Sequence, residues 1–412
     1  MSLPPSSDSR SDSRALFRHR PFLFYFVARI FSEFSFLIGA VAVGWQVYAL
    51  TNSAVALGMV GLVQFIPTAL LVFIAGHAAD RYDRRRVVQL CQFVDCLTAI
   101  FLAWGSFGGW LNAPMIFAAV AVFGVTNAFE SPAVAALLPG VAPDGALQRA
   151  TAISTGAFQV AMIGGPALGG VAYALAPGAS YTLMAVFALL AVLLNGAVRL
   201  QRPVLDKDEQ PTLGELFAGI SFVRKHPAIL GTISLDLFAV LLGGATALLP
   251  IYARDILHTG PWGLGVLRGA PAIGALLMSI VLAHYAIERR VGMRMFQAVI
   301  VFGAATVVFA LSYSIWLSLV ALAIMGAADT VSMVIRISLV QLATPDDMRG
   351  RVGAVNFLFV NASYQLGEFE SGLTAALLGA MPAAALGGVG TILVALLWMK
   401  LFPALRGVER LE

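Results

Sequence analysis

Ten ionisable side chains sit inside, or close to the ends of, long apolar runs: Arg29, Glu33, Asp95, Glu130, Asp236, Arg268, Asp329, Arg336, Glu368 and Glu370. A charge held in hydrocarbon is costly, so such a residue marks a path for an ion, a proton or a polar ligand, or else is neutralised by a partner. Seven are acidic and three basic, a balance that favours a cation or the carriage of a proton. Glu33 lies about twelve residues into its run, roughly 18 Å deep at 1.5 Å per residue. A carboxyl group there is placed to take up and release a proton. Glu33, Glu130, Asp329 and Glu368 are the carboxylates expected to carry coupling, each weighed against a plain role as a satisfied polar group. Glu368 and Glu370 are two apart, so at most one faces a cavity. Asp95 and Arg268 lie near run ends, where they are expected to reach water.

Arg29 and Glu33 share a helix face at i,i+4, but Arg before Glu is the weaker order. Arg29 is therefore expected to pair with Asp236 across a cavity, as a switch that is intact in one conformation and open in the other. Arg336 joins these two as a gating charge.

The elements that hold these residues are membrane helices. Of 412 residues, 59% are hydrophobic and 12% charged, about half the charged fraction of a soluble domain. Twelve runs cover approximately 21–50, 54–76, 87–108, 113–138, 149–175, 180–200, 228–253, 262–285, 295–312, 314–340, 351–379 and 382–403, and about 20 residues suffice to span a bilayer. The implied fold class is an all-α membrane protein with twelve transmembrane helices in two pseudo-symmetric six-helix bundles. The domain reading is an N-terminal tail at 1–20, a bundle at 21–200, a linker at 201–227, a second bundle at 228–403 and a C-terminal tail at 404–412. Residues 1–14 read as a disordered tail. The second part of the linker, 212–224, has helical apolar spacing and is expected on the membrane surface.

Lys and Arg concentrate in the tails and the even-to-odd connections (Arg81 to Arg86, Arg149, the linker, Arg289 to Arg294, Arg349 and Arg351), with Arg254 opposite. That asymmetry puts both termini in the cytoplasm. The net charge of +4 comes from these loops and implies no nucleic acid. Cys91 and Cys96 read as small packing residues. The three lysines, at 207, 225 and 400, follow no glycine, so a P-loop is absent. The sequence offers no metal cluster, no cofactor motif and no nucleophile-plus-base constellation, which argues against an enzyme.

The halves align with each other. Pro143, Asp144, Arg149 and Ala152 match Pro345, Asp346, Arg351 and Ala354, and Gly165 and Gly170 match Gly367 and Gly372. A second register sets Arg29 opposite Asp236. Two such halves imply a substrate site between them near the midplane.

Between the second and third runs lies Gly76-His-Ala-Ala-Asp80-Arg81-Tyr-Asp-Arg84-Arg85-Arg86. Its small residues are expected to let two helix ends approach closely, and its arginines must stay in the headgroup layer. Gly76-x-x-x-Asp80-Arg81-x-x-Arg84-Arg85 resembles the loop signature of the major facilitator superfamily. Gly164-Gly165-Pro166-Ala-Leu-Gly169-Gly170 in the fifth run is similar to the fifth-helix signature of that superfamily's antiporter branch, which implies a bent helix helping to seal the cavity. Pro132 to Pro139, Gly164 to Gly170, Phe222 to Pro227 and Arg349 to Val352, in that order, resemble the subfamily that contains the bacterial enterobactin exporter. Two departures stand out. The fourth run, 114–138, lacks the arginine of many proton-driven relatives and carries Asn127 and Glu130 instead. The second-half loop, 283–290, lacks the Gly and the Asp.

The resemblance implies a bacterial inner-membrane secondary transporter working by alternating access. The expectation is a proton-coupled exporter of small lipophilic or cationic compounds, drugs or siderophores. Its partners would be that small molecule, protons and membrane lipids, and it would act as a monomer. Uptake by symport, or lysolipid transport, on the same fold is the alternative, with a membrane enzyme or scaffold more remote.

Overall fold

The computed structural model describes residues 16–143, 145–198, 213–285, 287, 289–345 and 348–410. The expected tail at 1–14 and the first part of the linker lie outside the described residues, as do the side chains of His77 and Asp80.

Twelve long helical spans appear among the described residues: Arg20–Thr51, Ala54–Arg81, Arg84–Gly108, Ala113–Val141, Leu147–Leu175, Pro177–Ala197, Pro227–Ile256, Gly260–His284, Val291–Ala310, Ile315–Ala343, Arg349–Leu378 and Ala380–Leu401. Eleven are long and apolar enough to cross a membrane. The other, Arg349–Leu378, has 30 residues, ample length for a crossing, but carries Arg349, Arg351, Glu368 and Glu370. Local chemistry sets the boundaries. The Asp83 side chain accepts from the Arg85 backbone N–H at 3.0 Å and starts the third span. Asn112 does the same for the fourth through Met115 N–H at 3.1 Å. Such caps satisfy amides that have no partner inside the helix. The seventh span is not the continuous helix expected. After Leu242 it passes through Gly243 and Gly244 into a 3-10 turn, Ala245–Leu248, and then a π turn, Tyr252–Ile256. Linker helix Leu213–Lys225 precedes it.

The chain packs as two compact units. Of the described residues, those within 1–42 and 66–208 form the first and those within 43–65 and 209–412 the second. The stretch 43–65, expected with the N-terminal bundle, thus belongs to the second unit. Close contacts explain why. A Cβ on Gly58 would meet the Glu368 carbonyl and Phe369 Cα at 3.0 Å. The Tyr48 hydroxyl donates to Asp255 Oδ2, and Arg254 Nη1 donates to Asn52 Oδ1 at 2.8 Å.

Within the first unit, the third and sixth spans pack along their length. Rungs at Gln89, Gln92 and Cys96 reach Val192 O, Asn195 and Ala185 O, and spacings of three and four keep them on one helix face. An apolar core of Tyr25, Val88, Ala133, Val134, Leu137, Val141 and Val198 lies nearby. In the second unit the core gathers Leu235, Ala239, Val291, Met295, Phe296, Val299, Ile335, Ala395 and Leu405. Cys91 and Cys96 are buried free thiols.

Candidate functional site

In the first unit, four spans bring polar groups together around Glu130. Ser32 Oγ, from the first span, donates to Glu130 Oε1 at 3.0 Å. Gln92 Nε2, from the third, donates to the same oxygen at 2.8 Å. Asn195 Nδ2, from the sixth, donates to Gln92 Oε1 at 2.8 Å. Next to Ser32, Glu33 Oε1 lies 2.9 Å from Arg29 Nη2. Asp95 is mid-span, not at a span end, and accepts from the Thr126 hydroxyl at 2.6 Å. Its expected contact with water gives way to a side-chain partner, as burial demands of a carboxylate.

The second unit holds its own charge cluster. Arg336 Nη1 contacts Asp236 Oδ1, and Arg336 Nη2 lies 3.8 Å from Asp329 Oδ1. Asp329 also accepts a hydrogen bond from Tyr364. Asp329 and Arg336 are seven residues apart on the tenth span, two turns along one face. Two carboxylates thus share one guanidinium. Glu368 faces Arg268 electrostatically and stands close to Gly61, where a Cβ would meet its Oε2 at 2.7 Å. Arg268, placed near a run end from the sequence, is the ninth residue of its span. Glu370 accepts from Thr374 at 2.6 Å, so the two glutamates face different ways.

Arg29 and Asp236, expected to pair with each other, each have a partner inside their own unit, Glu33 and Arg336 respectively. One helical turn brings Glu33 within reach of Arg29 at little cost in order. A 6%-exposed Asp236 side chain requires a cation close by.

The loop signature behaves differently from expectation. Among the described residues, no atom outside its own helix backbone and chain neighbours lies within 4 Å of where a Gly76 Cβ would stand. Arg81 ends the second span and is exposed. Arg84 Nη1 donates to Ala136 O at 3.1 Å and Arg85 Nη1 to Val198 O at 2.8 Å. Arg85 clasps the C-terminal end of the sixth span, where carbonyls lack helical partners and the dipole favours a cation, while Arg84 reaches a carbonyl in the last two turns of the fourth. The Asp80 side chain lies outside the described residues. In the fifth span Pro166 and Gly170 are buried. A Cβ on Gly165 would stand 2.7 Å from Leu37 Cβ, and one on Gly169 3.0 Å from Ile38 Cα, so that signature is a close contact with the first span.

Ser32, Gln92, Asn195, Thr126 and Tyr364 carry no charge, so the charge pattern of the sequence does not mark them. Their signal was available as uncharged polar groups inside apolar spans. Among the described residues no three His, Cys, Asp or Glu gather as a metal site.

The sequence and fold have known relatives. A family model described as transmembrane secretion effector matches residues 11–411. The chain is 27% identical over 398 residues to the enterobactin exporter EntS of Citrobacter koseri, covering 94% of this chain and 93% of that one. It is also 27% identical over 353 residues to the multidrug efflux pump Tap of Mycolicibacterium fortuitum, covering 81% and 84%. Among solved structures, the peptide transporter POT superposes with TM-score 0.73 at 12% identity, covering 97% and 99%. A bacterial homologue of the iron transporter ferroportin superposes with TM-score 0.69 at 17% identity, covering 94% and 99%. These two show the fold. The chain belongs to the transmembrane secretion effector family of the major facilitator superfamily, and it is a multi-pass inner-membrane transporter of a small molecule, not an enzyme.

Proposed function

We propose that this protein is a proton-coupled exporter of small lipophilic or cationic compounds, with drugs and siderophores as the classes to test. Export is supported by the relatives, one named for enterobactin export and another for multidrug efflux. The observation that carries coupling is Glu130. It is a carboxylate deep within a span, with one oxygen held by two donors and no cation within its hydrogen bonds. A carboxylate so placed cannot stay charged cheaply and is suited to exchange a proton with its surroundings. Glu33, Asp329 and Glu368 are the other carboxylates of the proposed coupling set, and Arg29, Asp236 and Arg336 set its charge balance. Alternating access between two halves follows the pattern of such transporters. The protein acts as a monomer in the lipid bilayer, with both termini cytoplasmic as the arginine asymmetry supports.

The test is a substrate screen in proteoliposomes under an imposed pH gradient, using ethidium as a lipophilic cation and a catecholate siderophore. Substrate movement against its gradient, abolished when nigericin collapses the pH difference, is expected. Movement unaffected by that collapse would overturn proton coupling, and accumulation toward the cytoplasmic face would overturn export.

A further inference from the structure

We propose that Gln92 and Asn195 are positioning residues for Glu130: together they fix which carboxylate oxygen is anchored and leave the other to take the proton. This rests on the reading of Glu130 as a proton carrier and names the residues that serve it.

The direction of each hydrogen bond makes the argument. A glutamine amide has one oxygen that only accepts and one nitrogen that only donates. Asn195 Nδ2 donates to Gln92 Oε1 at 2.8 Å. That contact sets the amide's orientation, so Nε2 points to Glu130, which it meets at 2.8 Å. Ser32 Oγ reaches the same Oε1 from another span at 3.0 Å. Both donors fall on one oxygen, and Oε2 lies outside the pair of bonds. Gln92 is 3% exposed and Asn195 is 3% exposed, so neither amide can turn to water instead, and an unpaired amide there would be costly. The charged and titratable groups around Glu130 are Arg29 and Glu33 of the first span and Asp95 and Cys91 of the third. Burial of two uncharged amides among them supplies orientation without adding charge.

A purely structural role, joining the third and sixth spans, is already served one turn away, where Gln89 Nε2 donates to Val192 O at 3.3 Å. Gln89 has no bond to Glu130, which makes it the control.

The experiment is acid-minus-alkaline infrared difference spectroscopy on the purified full-length protein in liposomes, with the Glu130 carboxyl band assigned by its loss in Glu130→Gln. Hydrogen bonds to a carbonyl lower its stretching frequency. In Gln92→Leu the Glu130 band is expected to move to higher wavenumber. In the gentler Asn195→Ala it should broaden and move the same way, while Gln89→Leu leaves it in place. Gradient-driven ethidium transport should fall about tenfold in Gln92→Leu, the loss of one hydrogen bond to a charged group. A Glu130 band at its original wavenumber in both Gln92→Leu and Asn195→Ala overturns the positioning. The absence of any band removed by Glu130→Gln overturns the proton-carrying reading itself, and the positioning with it.

Discussion

Arg29 Nη2 lies 2.9 Å from Glu33 Oε1, one helical turn along the first span, with the two side chains 31% and 18% exposed. The pair is local, and it forms in the less favourable order, Arg before Glu. Arg29→Ala would leave Glu33 without its cation in a partly buried site, at a cost of about 1–3 kcal/mol, less than for a fully buried pair. Transport is expected to fall in both Arg29→Ala and Glu33→Ala. The exchange Arg29→Glu with Glu33→Arg restores the pair in the better order and should recover part of the loss. A double-mutant cycle on transport rates reads the coupling, and strictly additive losses would refute a working pair.

Arg336 serves two carboxylates, Asp236 and Asp329. Removing it strands both. Arg336→Ala is expected to destabilise the second unit by about 3–5 kcal/mol, read as a lowered unfolding midpoint in detergent. Asp236→Leu with Arg336→Met should be more stable than Arg336→Ala, because an apolar pair needs no counter-charge. Equal midpoints for the single and the double change would show that a stranded Asp236 carries no cost, and a wild-type midpoint in Arg336→Ala would show that the cluster contributes nothing to the fold.

The two glycine signatures should separate. Gly169→Val places a branched side chain against Ile38, where a Cβ alone would already stand 3.0 Å from the backbone. Overpacking of this kind costs about 1–3 kcal/mol. Gly76→Leu meets open space and should leave the unfolding midpoint near wild type. If Gly76→Leu nevertheless slows transport, the close approach belongs to another step of the cycle. Normal transport by Gly76→Leu would leave Gly76 without a part in the cycle.

Arg85 clasps the end of the sixth span through Val198 O, and Arg84 reaches Ala136 O inside the fourth. Arg85→Ala should loosen the end of the sixth span, raising amide hydrogen exchange at residues 194–198 by roughly tenfold, the worth of one charged hydrogen bond. Arg85→Lys, which keeps charge but loses the guanidinium's reach, should fall between. Unchanged exchange in Arg85→Ala would leave the cluster as a topology signal only.

The spans were legible because a bilayer demands long apolar runs, and all but the seventh appear as single helices close to their expected limits. The break after Leu242 was less visible. Gly243 and Gly244 look like ordinary small residues in a membrane helix, yet a Cβ on Gly244 would stand 2.5 Å from Gly367 O, an approach only the folded unit reveals. Charges in apolar runs announced themselves, which is why Glu130, Asp236, Asp329 and Arg336 were named. Their partners were not legible, since partner choice depends on how each helix is rotated about its axis. Arg29 and Asp236 illustrate the point: matched positions and opposite charge suggested a pair, while each has a partner inside its own unit, Glu33 and Arg336. Gln92 and Asn195 were passed over because uncharged amides carry a weaker penalty in a span than charges do.

The proposed drive for export is a proton on Glu130. It is tested most directly by comparing two transport modes of Glu130→Gln in proteoliposomes: accumulation of ethidium driven by a pH gradient, and ethidium exchange at equal pH. The glutamine imitates the protonated carboxyl and cannot release a proton. Gradient-driven accumulation should be lost while equal-pH exchange continues. Accumulation at the wild-type level in Glu130→Gln would contradict the account.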